Sequence, residues 1–107
     1  MLRINGKDYE LKYTINTLCQ MCDSGIDVMD LANLKINIKT VRELFMFGLK
    51  HENKKITQAQ AGELMDAFFE DGGDYNEMVT EIMIKLNKSL GGSEETVEED
   101  GEEGKQG

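Results

Sequence analysis

Apolar and polar residues alternate along two short stretches at the start of the chain, residues 2–5 and 8–13, which flank Asn5-Gly6. Asn-Gly is a strong hairpin signal because both residues tolerate the positive φ of a type I′ turn. An isolated two-stranded hairpin is only marginally stable in water, so one of its faces must pack against other elements. The pattern therefore predicts an N-terminal β-hairpin that lies on the rest of the domain.

Helical periodicity replaces this alternation in the rest of the chain. The first predicted helix covers residues 15–22, begins after Thr14 and ends at Asp23-Ser24-Gly25. Three more helices are predicted at residues 41–52, 58–70 and 75–90, and each follows a pair with capping-box spacing: Thr40 and Glu43, Thr57 and Gln60, Asp74 and Glu77. Together these elements predict a mainly α fold, a small helical bundle with a short N-terminal β-hairpin.

Residues 26–38 fit two alternatives. Asp27 could cap a helical turn that carries Val28 and Leu31, but the LKINIK stretch that follows alternates like a strand. Both alternatives stay open from the sequence.

The predicted helix at 41–52 carries more apolar residues than one buried stripe requires. On a helical wheel, Met46 and Phe47 fall on either side of its stripe, and in the last helix Ile84 points away from the stripe. One interpretation is that the 41–52 helix is central and covered on all sides. The other is that Met46, Phe47 and Ile84 form an exposed apolar surface, which on a small protein is typical of a partner site. We predict these three as partner-binding residues.

Charge divides the chain into two parts. Residues 1–90 hold 11 basic and 14 acidic residues, a net charge of -3, whereas residues 91–107 hold one lysine and seven acids, a net charge of -6. The second part has too few apolar residues to offset the entropy of ordering it. We therefore predict one helical domain at residues 1–90 and a disordered acidic tail at residues 91–107.

The composition also excludes several classes of partner. An acidic domain without clustered Lys and Arg is not typical of nucleic-acid binding. No apolar run approaches the ~20 residues of a membrane span, and the N-terminus lacks the apolar stretch of a secretory signal. We expect a cytoplasmic protein with reduced thiols.

The sequence offers no credible active site, cofactor site or metal site. Cys19 and Cys22 form a single CxxC, whereas a structural zinc needs four ligands, and His51 is the only histidine. Three positions apart on an amphipathic helix, the two cysteines are expected to be small core residues. No nucleophile with a paired base and no phosphate-binding glycine motif is present. We therefore predict a protein that is not an enzyme.

Two stretches carry a resemblance to a known family. A hairpin with INGKDYEL followed by a helix, and the helix pair VRELFMFGLKHENKKITQAQAGELMDAF, together resemble the small tail assembly chaperones of long-tailed bacteriophages. These proteins are encoded just upstream of the tape measure protein. The resemblance covers roughly residues 1–90 and rests on pattern and length, with no invariant motif.

The resemblance implies a role in phage morphogenesis. Its members coat the long, helical tape measure protein, help recruit tail tube protein around it, and leave before the virion is complete. We therefore expect the tape measure protein and the tail tube protein as partners, in the cytoplasm of the bacterial host, with self-association left open. Two alternatives are a minor structural tail or head–tail protein and a small acidic regulatory adaptor that masks a basic surface.

Overall fold

A short hairpin and four helices make up the described part of the domain. The computed structural model describes residues 1–29 and 36–91. Its elements, in chain order, are β1 (Leu2–Ile4), β2 (Lys7–Tyr9), α1 (Ile15–Asp23), α2 (Ile38–Leu49), α3 (Gln58–Glu70) and α4 (Tyr75–Ser89). The predicted fold class, a small helical bundle with an N-terminal hairpin, is confirmed. Of the predicted disordered tail, residues 92–107 lie outside the described residues.

The hairpin turns at the predicted Asn-Gly pair. Asn5 has a φ of 53° and Gly6 a φ of 78°, the positive values that a type I′ turn requires. β1 and β2 pair antiparallel with Arg3 opposite Asp8, and the guanidinium of Arg3 donates a hydrogen bond to that carboxylate at 2.9 Å. β2 is shorter than predicted, since strand pairing ends at Tyr9.

Helices α1, α3 and α4 lie where the sequence predicts them. The capping box of α3 is complete, because the side chains of Thr57 and Gln60 each accept a hydrogen bond from the other residue's backbone N–H. At the end of this helix, Gly72 has a φ of 96° and the N–H of Gly73 donates to the carbonyl of Phe68 at 2.8 Å. This is a Schellman ending, and it explains why the glycine pair stops the helix.

The predicted start of α2 is wrong. The helix begins at Ile38, and its N-cap is Asn37, whose side chain accepts a hydrogen bond from the backbone N–H of Thr40 at 2.9 Å. Thr40 therefore lies in the first turn instead of capping it. The helix also ends earlier than predicted, at Leu49.

The stretch with two open alternatives is partly described. Asp27 accepts a hydrogen bond from the N–H of Met29, as a capping side chain does. Residues 30–35 lie outside the described residues. The strand alternative is wrong for residues 36–39, because Ile38 and Lys39 belong to α2.

Helix α2 is the centre of the core. The segment after β2 crosses it at Gly48, whose carbonyl accepts a hydrogen bond from the N–H of Lys12 at 2.9 Å. The hydroxyl of Tyr13 donates to the carbonyl of Leu44 at 2.5 Å. Burial, with a smaller contribution from the charge of Glu81, raises the pKa of Tyr13 well above its usual value, so the phenol stays protonated and keeps this donor.

Candidate partner-binding surface

The predicted partner-binding residues do not form an exposed surface. Met46 is 8% exposed and Phe47 is 6% exposed, so the expectation that they are accessible is wrong. Because α2 packs against α1, α3, α4 and the segment after β2, it has no open side at these positions. The Nζ of Lys50 also lies 5.8 Å from the ring centroid of Phe47. The interpretation of a central, covered helix is confirmed.

Ile84 differs from the other two predicted residues. It is half-buried on α4 and is not among the side chains that pack against the core. The structure therefore does not bring Ile84 together with Met46 and Phe47 on one accessible face. A partner-binding role for these three residues stays a prediction. The shared exposed surface that motivated it is not present in the described structure.

A different apolar surface lies along α1. Ile15, Cys19 and Cys22 are spaced at i, i+4 and i+7, which places them on one face of the helix, and all three are exposed. The other side of α1 is anchored in the core by Leu18 and Met21. This helix therefore carries two apolar faces, and the described part of the domain covers only one of them.

Neighbouring segments extend the exposed face of α1 into a shallow depression of about 240 Å³. Met29 is 78% exposed, Ile15 is 64% exposed and Leu90, which follows α4, is 41% exposed. We call this surface the α1 patch and define it by the apolar residues that line the depression: Ile15, Leu18, Cys19, Cys22, Val28, Met29 and Leu90. Among the described residues, Asp27 is the only charged one in its lining.

The two cysteines are not the core residues that the sequence predicted. Both are free thiols and both are exposed, on the outer face of α1. The error arose because the i, i+3 spacing fits either face of an amphipathic helix. The described residues bring no three His, Cys, Asp or Glu side chains into positions that could share a metal ion.

Two larger depressions have a different character. One lies between the hairpin and α3 and measures about 430 Å³, and its lining includes Lys7, Glu52 and Glu63. The other lies between α2 and α3, measures about 570 Å³ and includes Arg42 and Asp66. Both carry charged groups of both signs, whereas the α1 patch is almost wholly apolar.

Arg42 is a charged residue in the groove between α2 and α3. Its Nη2 donates a hydrogen bond to Oε1 of Gln58 at 2.9 Å, and its buried Nε has no hydrogen-bond partner within the described part of the chain. A single donor at the edge of a mixed-charge groove does not define a ligand class. The α1 patch is therefore the better candidate for a binding surface.

The one histidine of the sequence makes a structural contact. The Nε2 of His51 lies 2.6 Å from the carbonyl oxygen of Glu10, where it ties the end of α2 to the segment after β2.

None of the helices in residues 1–29 and 36–91 combines the length and the apolar character that a membrane span needs.

Comparison with known proteins identifies the family and gives no function. The model of one family, described as a domain of unknown function (DUF5055), matches residues 1–104. No curated protein matches the chain, and no solved structure matches it. Because the family match covers nearly the whole sequence, the chain belongs to the DUF5055 family.

Proposed function

We propose that this protein is a non-catalytic binding protein that holds an apolar segment of another protein at the α1 patch. The exposure of Ile15, Met29 and Leu90 around the outer face of α1 is the observation that carries the proposal. An apolar surface left in water is costly, at roughly 25 cal/mol for each Å² that a partner could bury. Such patches on small soluble proteins are typical of partner sites.

The proposed partner is the tape measure protein of a long-tailed bacteriophage, which the resemblance of residues 1–90 to tail assembly chaperones implies. A tape measure protein is long and helical, so it exposes many amphipathic segments before the tail tube surrounds it. The α1 patch is narrow and apolar, which suits one face of such a segment. The protein would act in the host cytoplasm and would be absent from finished particles.

A matched pair of substitutions tests this surface. Ile15 and Ile38 are each the first residue of a helix, and they are 64% and 58% exposed. A glutamate at either position is tolerated by the fold because a negative charge is favourable at a helix N-terminus. We expect Ile15→Glu to weaken binding about tenfold or more, since it places a charge in the apolar contact, and Ile38→Glu to leave binding unchanged.

Binding is measured by titration against the product of the long reading frame immediately downstream of the gene, and thermal melts of both variants confirm folding. Equal affinities for the two variants would move the site away from the α1 patch. If no complex formed, the tape measure protein would not be the partner. Presence of the protein in purified virions would favour the structural alternative, and a complex that dissociates fully in high salt would favour the acidic adaptor.

The exposed thiols give a second, independent prediction. Cys19 and Cys22 lie within the α1 patch, so N-ethylmaleimide should alkylate both in the free protein and neither in the complex. Mass spectrometry of the labelled protein provides the measurement. An Ile38→Cys variant is the control, because its added thiol lies on a different surface and should stay reactive in the complex. Equal labelling of Cys19 and Cys22 with and without partner contradicts a contact at α1.

A further inference from the structure

The described residues at the border of the α1 patch carry charge of one sign. Residues 14–29, which form α1 and the turn after it, contain Asp23 and Asp27 and no lysine or arginine. Both aspartates are exposed, and Asp27 lines the depression itself. An apolar segment seated on the patch therefore meets carboxylates at its edge.

Two basic residues close in sequence to the patch belong to another part of the surface. Lys12 and Lys88 line a separate depression of about 350 Å³ at the end of α4. Neither of them lines the α1 patch, and Lys35 lies outside the described residues. Within the described part of the chain, no basic side chain in the lining balances the charge of Asp27.

The end of helix α1 adds to the same potential. The aligned peptide dipoles of a helix leave partial negative charge at its C-terminus, and a basic residue in the last turn usually offsets it. The last turn of α1 has no basic residue, and the helix ends at Asp23.

The size of the apolar face limits what it can hold. From Ile15 to Cys22 the stripe runs through seven residue steps, about 10 Å along the helix axis. That length matches two turns of a partner helix, whose apolar residues at i, i+3, i+4 and i+7 would lie against it. Asp27 lies in the lining of the depression and Asp23 is the last residue of α1, so a partner residue next to the stripe at that end meets negative charge.

From this charge complementarity, and resting on the proposed function, we propose that the α1 patch takes an amphipathic helix whose short apolar stripe is flanked by lysine or arginine. The apolar stripe supplies affinity. The basic flanks select the segment, because charges at the rim of an interface act more on specificity and association rate than on total affinity.

Two synthetic peptides of about 20 residues, long enough to form a helix, test the inference on the full chain. Both carry the same two-turn apolar stripe, with lysine flanks in one peptide and glutamate flanks in the other. We expect the lysine peptide to bind about tenfold more tightly at about 0.05 M salt, and the difference to shrink at about 0.5 M as screening increases. Ile15→Glu should weaken both peptides.

The double variant Asp23→Asn with Asp27→Asn should remove most of the preference for lysine flanks. An asparagine at position 27 can still accept the hydrogen bond from Met29, so the local turn is preserved. The control, Asp66→Asn with Asp71→Asn, makes the same change in net charge on α3 and at its C-cap, where the two side chains line other depressions. It should leave the preference intact.

Each other result overturns a defined part of the inference. If both peptides bound equally and Ile15→Glu weakened both, the proposed function would stand, but the requirement for basic flanks would be wrong. If the preference for lysine flanks survived the Asp23 and Asp27 changes but disappeared on deletion of residues 92–107, that segment would be what selects the basic flanks. If Ile15→Glu did not change binding, the α1 patch would not be the binding site, and the proposed function would be wrong about this site. Concentration-dependent dimerisation that Ile15→Glu abolishes would make a second copy the occupant.

Discussion

Phe47→Ser is expected to unfold most of the protein. Phe47 is buried in the central helix α2, and truncating a buried phenylalanine costs about 3–5 kcal/mol. The serine hydroxyl adds the cost of a polar group in an apolar site. A domain of this size has a total stability on the order of 5 kcal/mol, so the free energy of unfolding should fall close to zero. Urea denaturation followed by circular dichroism measures the change.

Ile84→Ser provides the matched contrast. Ile84 is half-buried on α4 and does not pack against the core, so its replacement should cost about 1 kcal/mol or less. Helical-wheel positions alone predict that the two residues share one surface. This pair of variants tests whether they differ in burial. If the Phe47→Ser protein were folded and its melting curve were close to that of the parent, Phe47 would not be a buried core residue.

Gly48→Ala should destabilise the protein by about 1–3 kcal/mol, although alanine favours a helix over glycine. A Cβ at position 48 would lie 2.8 Å from the hydroxyl oxygen of Tyr13 and 3.0 Å from Cδ2 of Leu11. Both neighbours are buried, so neither has space to move away. The substitution would push the segment after β2 away from α2 and strain the hydrogen bond from Tyr13 to the Leu44 carbonyl.

Gly62→Ala is the control for helix propensity. Gly62 also lies inside a helix, α3, but a Cβ there meets only Cδ of Arg42 at 3.4 Å, an ordinary contact. We expect this variant to gain up to about 1 kcal/mol. Parallel urea titrations should therefore place the two variants on opposite sides of the parent. If both were stabilised, the close packing at Gly48 would not limit the fold.

Local signals in the sequence predicted most element positions. The hairpin turn, the start of α3 at Thr57 and its end at Gly72 are set by hydrogen bonds and φ angles within a few residues of each other. Such features need no tertiary context, so a single sequence contains the information. The start of α2 was mispredicted because Asn37 and Thr40, three positions apart, are both good caps. The structure selects Asn37.

The candidate binding surface could not be predicted in the same way. A helical wheel identifies which residues share a face, but Cys19 and Cys22 could belong to either side of α1, and Met46 and Phe47 to a covered or an open side of α2. The hairpin, the helices, the excess of acidic residues and the surplus of apolar side chains all follow from the sequence. Which of the surplus apolar side chains are buried depends on tertiary packing, because burial is set by how many neighbouring elements surround a helix. Within the described residues, α2 is surrounded and α1 is packed on one side.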